Sequence, residues 1–143
     1  MKSIEECRAI EALFTQYYEK NIESLRSVNP QFAEMTNTAL IHIQDDFLTA
    51  EVKKRNVNFS MEKLSAYQRA EYDKALVQQL FYVLVEGDFN AVSGYDQTTN
   101  TFAPASELRA RALSPAARQT LTAAGLFYRA LNGGVPDYRA RRW

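Results

Sequence analysis

Four helix-start signals, each followed by apolar residues at three- and four-residue steps, constrain this chain more than any other feature. Ser3-Ile4-Glu5-Glu6 is a capping box, in which the Ser3 hydroxyl accepts from the Glu6 N–H and the Glu6 carboxylate reaches back. Cys7, Ile10, Phe14, Tyr17, Tyr18, Ile22 and Leu25 then mark an amphipathic helix to about Val28. Asn29-Pro30 is a second start, with Asn29 as cap and Pro30 at the first helical position, where a missing N–H is harmless. Its stripe is Phe32, Met35, Ala39, Ile43 and Phe47. It should end near Lys53-Lys54-Arg55, cations suited to the negative end of a helix.

Val57 to Phe59 reads as a connector. Ser65-Ala66-Tyr67-Gln68 is another capping box, with a possible turn before it from Ser60, and it opens the longest helix. Tyr72, Leu76, Leu80 and Val83 line one face, while Ala75, Val77, Phe81, Leu84 and Val85 widen the apolar surface. Gly87 is suited to follow its end. Residues 88–112 break the pattern and read as a loose hairpin turning at 97–100 or as a long loop. Stretches of that kind are usually functional or mobile. Ser114-Pro115 starts the last helix and Asn132-Gly133-Gly134 stops it. The expectation is an all-α, four-helix bundle-like fold with helices near 3–28, 30–54, 61–86 and 114–132. Residues 1–134 form a single domain, 88–112 are an insertion, and 135–143 are a tail.

At 143 residues the chain has the size of one domain able to bury a core without staples. Its single cysteine, Cys7, excludes an internal disulfide, and a reducing place of synthesis is the default. No apolar run is long enough for a membrane span, and the first residues do not resemble a signal peptide. The zero net charge hides an asymmetry. Residues 1–99 carry 10 Lys+Arg against 15 Asp+Glu, whereas residues 100–143 carry seven arginines against Glu107 and Asp137. Such a charge dipole suits an acidic surface, nucleic acid or a second copy of the chain, unless it is chance surface composition.

Candidate chemistry is sparse. Asp46 with Glu51-x-Lys53 resembles the acid and lysine signature of metal-dependent nucleases, which hold a metal near a scissile phosphate. On a helix, however, positions 51 and 53 point about 200° apart, and a solvated helix end is the better reading. His42 is the only histidine, so no two-histidine metal site exists, and it reads as a surface or interface residue. Cys7, on the apolar face of the first helix, reads as a small buried hydrophobe. No glycine-rich phosphate loop is present. Neither enzymatic activity nor a metal or cofactor is expected.

The last helix poses a different question. Ala117, Leu121, Ala124, Tyr128 and Leu131 form one seam, and Ala123, Phe127 and Ala130 form a second apolar stripe beside it. One seam suffices to pack on the long helix. The second stripe therefore points to a neighbouring copy, with a central helix of a monomeric bundle as the other reading.

The same residues carry a resemblance. Leu64-Ser65-x-x-Gln68-x-x-x-Tyr72-x-x-Ala75-Leu76-x-x-Gln79-x-x-Tyr82 leads to Gly87-Asp88. After a polar loop come Leu113-Ser114-Pro115-Ala116-Ala117 and then Ala124-Gly125-Leu126-x-Tyr128-Arg129. This order resembles the head–tail connector, adaptor or head-completion proteins of tailed double-stranded DNA bacteriophages. It covers roughly residues 64–130, and it departs from the family at Ala130, where a glycine is common.

The resemblance implies a helical, non-catalytic virion protein, made in the host bacterial cytoplasm and placed in the neck of the particle. It implies a closed homo-oligomeric ring of about twelve subunits. The ring would join the portal protein to a tail or stopper protein and pass double-stranded DNA without reading its sequence, with no membrane involved. Tyr82, Phe127 and Ala130 are then expected at subunit contacts, and Phe89, Tyr95 and Phe102 on a tail-side loop. Tyr138, Arg139, Arg141, Arg142 and Trp143 are expected to bind portal, since Arg, Tyr and Trp dominate binding hot spots. Two other classes compete: a small phage or mobile-element protein that inhibits a host protein, and a helical DNA-binding protein. The chain has no helix-turn-helix recognition pattern to favour the last.

Overall fold

A computed structural model describes residues 2–86 and 113–127. The all-α class is correct. Helix accounts for 73% of the described residues, and none of them is in a strand. Among the described residues five α-helices stand: α1 (Ile4–Tyr18), α2 (Ile22–Ser27), α3 (Asn37–Arg55), α4 (Ala66–Phe81) and α5 (Pro115–Ala123). A 3-10 turn at Met61–Lys63 precedes α4, and a π-helical turn at Tyr82–Glu86 continues it. The expected hairpin or loop at 88–112 and the tail at 135–143 lie outside the described residues.

Both capping boxes form. Ser3 Oγ accepts from the Glu6 N–H at 3.1 Å, and Ser65 Oγ accepts from the Gln68 N–H at 3.1 Å. The reciprocal bonds to Glu6 and Gln68 close each box. Ser114 caps α5 by accepting from the Ala117 N–H, with Pro115 in the first turn.

The first expected helix is interrupted. Glu19 adopts φ +60°, a left-handed conformation that ends α1 with its N–H on the Thr15 carbonyl. Asn21 then restarts the chain as α2 by accepting from the Ser24 N–H at 2.7 Å. Because the restart keeps the inward phase, Ile22 is buried as the apolar spacing implied.

Asn29-Pro30 does not start a helix. The Asn29 side chain accepts from the Gln31 N–H, which makes a local turn, and donates to the Leu84 carbonyl at 3.4 Å. Arg26 fastens the turns that follow, donating to the Ala33 carbonyl and to Asn37 Oδ1, both at 2.9 Å. The true cap of α3 is Thr36, whose hydroxyl accepts from the Ala39 N–H.

The buried face of α3 also differs from the expected stripe. Leu40, Ile41, Gln44, Asp45, Leu48 and Val52 point inward, whereas Ile43 is 38% exposed and Ala39 and Phe47 are only half-buried. Two polar residues on the inner face broke the apolar pattern and turned the reading toward the neighbouring face.

α4 is the hub, packed against α1, α3 and, most extensively, α5. Tyr72, Ala75, Leu76, Val77 and Leu80 are fully buried, as expected of the longest helix. Phe81 at its end stacks on Tyr18 of α1 with ring centroids 4.0 Å apart and planes 8° from parallel.

α5 is much shorter than its apolar pattern. Gly125, at φ +82°, reverses the chain in a Schellman motif. The Leu126 N–H bonds to the Leu121 carbonyl at 2.9 Å, and the Gly125 N–H to the Thr122 carbonyl at 3.0 Å. Leu126 and Phe127 fold back into the core and are each 2% exposed. As far as Phe127 the apolar run is thus a helix end followed by a reversal of the chain, and Ala123 and Phe127 do not share a helical face.

Candidate functional site

Two polar systems are built into this helical core. The first joins three elements. Gln79 of α4 donates through Nε2 to Gln44 Oε1 of α3 at 3.0 Å, and its Oε1 accepts from the Ser114 N–H at 2.8 Å. Both glutamines are 0% exposed. Nearby, the Thr120 hydroxyl donates to Gln78 Oε1 at 2.7 Å. These bonds set the phase of α3 and the start of α5 against α4.

The second lines a cleft of about 420 Å³ between the start of α1, the middle of α3, the turn at 59–62 and the first half of α4. Its carboxylates are Glu6, Asp45, Asp46, Glu62 and Asp73. Asp45 is 6% exposed, and its Oδ1 accepts from the Tyr72 hydroxyl at 2.8 Å. With that proton committed, the Thr49 hydroxyl, 2.9 Å away, donates to the Tyr72 oxygen. Burial first, and then the Asp45 charge, push the Tyr72 phenol well above its ordinary range, so it stays a donor.

Three cations share the cleft with these acids. Lys2 lies 3.3 Å from Asp73 Oδ1 and 6.0 Å above the centre of the Tyr72 ring. Arg69 donates to the Met61 carbonyl at 3.1 Å, which pins the 3-10 turn to α4. Lys53 is exposed at the rim.

The residues weighed for chemistry are placed differently. Asp46 and Lys53 line the cleft, but Glu51 does not. Its carboxylate bonds Lys54 Nζ at 2.9 Å and Arg55 at 3.0 Å. Burial works to raise the Glu51 pKa, and the hydrogen bonds from Lys54 and Arg55 outweigh it and hold it below the usual range. The three parts of the nuclease-like signature are therefore not brought together.

Cys7 and His42 do meet, with Sγ and Nε2 3.6 Å apart. Nε2 is also 3.0 Å from the Lys2 carbonyl, which can only accept, so this nitrogen carries a proton. It cannot then take the thiol proton, and burial pushes the Cys7 thiol up, away from the thiolate. The pair is a weak N–H···S contact. Among the described residues no group of three ligating side chains could hold a metal ion, and no helix is long and apolar enough to cross a membrane.

Of the expected contact residues, Tyr82 is half-buried against the core in the π turn. Phe127 is covered by its own chain, with the Arg55 guanidinium 4.3 Å from its ring centre. That removes it from the expected subunit interface. Ala130, Phe89, Tyr95, Phe102, Tyr138, Arg139, Arg141, Arg142 and Trp143 lie outside the described residues.

The sequence reading missed the cleft as a unit. The available signal was Asp45 and Thr49, polar residues one helical turn apart on the side shared by Ile41, Leu48 and Val52. No family model, no curated protein and no solved structure matches this chain.

Proposed function

We propose that the chain is a structural subunit of a phage neck, a connector ring between portal and tail. One observation carries the reading: the ordered spacing from Leu64 to Arg129 that resembles connector proteins. The described residues of that spacing include those that fasten α4 to α5. Ser65 and Gln68 cap α4, and Gln68 Nε2 also donates to the Ala124 carbonyl at 3.2 Å, next to the Gly125 turn. Tyr72, Ala75, Leu76, Gln79, Ala117 and Leu126 are buried in the core. A spacing that matches over one working unit of packing is a stronger basis than scattered identities.

In this reading Tyr82 and Ala130 contribute to a heterologous side-to-side contact that closes by rotation. Phe89, Tyr95 and Phe102 face the tail, and Tyr138, Arg139, Arg141, Arg142 and Trp143 engage portal through forked donors and aromatic anchors. DNA passes through the ring without sequence-specific contact.

The test combines mass in solution, negative-stain images, and capture of the portal protein of the same genome by the full chain. The expected result is a ring with a central hole, or a monomer that is retained on portal. A monomer that neither closes nor captures portal would refute the connector reading.

A further inference from the structure

The cleft between α1, α3 and α4 holds more acceptors than its own cations satisfy. Lys2 is engaged by Asp73, Arg69 is engaged by the Met61 carbonyl, and Lys53, exposed at the rim, bonds none of the acids among the described residues. Glu6 Oε1 is spent on the Ser3 N–H. Asp46 and Glu62 have no hydrogen-bond or ion-pair partner among the described residues. Asp45 is the telling group: the residue is 6% exposed, Tyr72 bonds only its Oδ1, and no donor among the described residues bonds Oδ2. A buried carboxylate with one oxygen unfilled, at the wall of an open cleft, calls for a charged donor.

We infer that this cleft receives the arginines of the chain's own C-terminal segment, Arg139, Arg141 and Arg142. Charge and reach both support that occupant. Residues 100–143 carry seven arginines against two acids, all of their basic residues being arginine, and the guanidinium fork matches a carboxylate such as that of Asp45.

The described chain also leaves from the right end of the molecule. Phe127 lies against Arg55, at the end of the same helix whose middle forms the cleft wall. From Arg55 to Asp46 is about 14 Å along α3 and about half a turn around it. The twelve residues from Phe127 to Arg139 can span roughly 40 Å. On the other side, Gln68 holds Ala124 while its neighbour Arg69 lines the cleft. The inference concerns the free chain and stands apart from the connector reading. If both hold, portal must draw the arginines out of the cleft.

Trp143 is the only tryptophan, which makes the segment its own reporter. In the full chain, acrylamide should quench Trp143 less than it quenches a synthetic peptide of residues 135–143. Raising the salt to about 1 M, where the screening length is about 3 Å, should bring the two together. So should the double variant Asp46→Asn, Glu62→Gln and the triple variant Arg139→Gln, Arg141→Gln, Arg142→Gln.

A second measurement does not depend on altering the cleft. In Arg141→Lys, a zero-length carbodiimide should couple the amine at position 141 to Asp46 or Glu62. In a mixture of isotope-labelled and unlabelled chains, those links should fall within one chain. Quenching equal to that of the peptide in the parent chain overturns the inference. So do links only to carboxylates elsewhere, no links at all, or links between labelled and unlabelled chains, which would assign the cleft to a second copy.

Discussion

α3 and α4 lie side by side, yet they bury different chemistry. α4 presents tyrosine, alanine, leucine and valine to its neighbours and carries one buried amide, Gln79. α3 turns inward Leu40, Ile41, Leu48 and Val52, but interleaves them with Gln44 and Asp45. Each buried polar group of α3 is answered from α4: Gln44 by Gln79, and Asp45 by Tyr72. The lesson is that α4 can be read alone, whereas α3 can be read only together with α4. Polar groups survive burial when a partner on another element satisfies them, and no periodicity within one helix reveals that partner.

The largest effect should come from testing which face of α3 is the inner one. Leu48→Ala should cost about 2–5 kcal/mol, the range for emptying a packed leucine site. Ile43→Ala, on the partly exposed face, should cost well under half as much. Denaturant midpoints with unchanged slopes would check both. Equal losses would restore the expected stripe of Ala39, Ile43 and Phe47 and break the contrast between the helices.

Next in size is the amide bridge. Gln79→Ala should cost about 1–3 kcal/mol, because it leaves the Ser114 N–H and the Gln44 carboxamide short of a partner in the core. In a double-mutant cycle with Gln44→Ala, the two losses should fall short of additivity by at least about 0.5 kcal/mol. Additive losses would mean that the two helices are satisfied independently.

The smallest effect concerns the helix ends. α3 closes on Lys53, Lys54 and Arg55, with Glu51 tying the last two, whereas the last turn of α4 has no basic residue. Glu51→Gln should cost less than about 1 kcal/mol at neutral pH, as such helical pairs do. The sign in acid follows from the lowered Glu51 pKa. Its stabilisation is fully present above the unfolded value, about 4.3, and is lost as pH falls through the lower folded value. The gap between parent and variant in thermal melts should therefore close in acid. A gap that persists there would show that Glu51 acts by packing.

The boundaries of the fold were legible wherever one side chain caps its own helix, as at Ser3, Ser65 and Ser114. They were not legible where the device is unusual or non-local. Glu19 takes a left-handed conformation without being glycine, and Thr36 was hidden behind the stronger-looking Asn29-Pro30 pair. Gly125 stood inside an apolar run that looked continuous, although its own flanks, Leu121 and Leu126, were the apolar contact such a turn uses. For the site, Asp46 and Lys53 stand out in the sequence as parts of an acid and lysine signature and not as walls of one cleft. Asp45, Thr49, Tyr72 and Asp73 acquire meaning only when three elements converge.

Gln68 has one amide and two duties. Its oxygen accepts from the Ser65 N–H where α4 begins, and its nitrogen holds the Ala124 carbonyl where α5 ends. Helix ends ordinarily fray one at a time, each on its own clock. Here two ends far apart in sequence share a single clasp. In hydrogen exchange, the amides at the start of α4 and around Gly125 should open as one unit, so that loosening one end shortens the lifetime of the other.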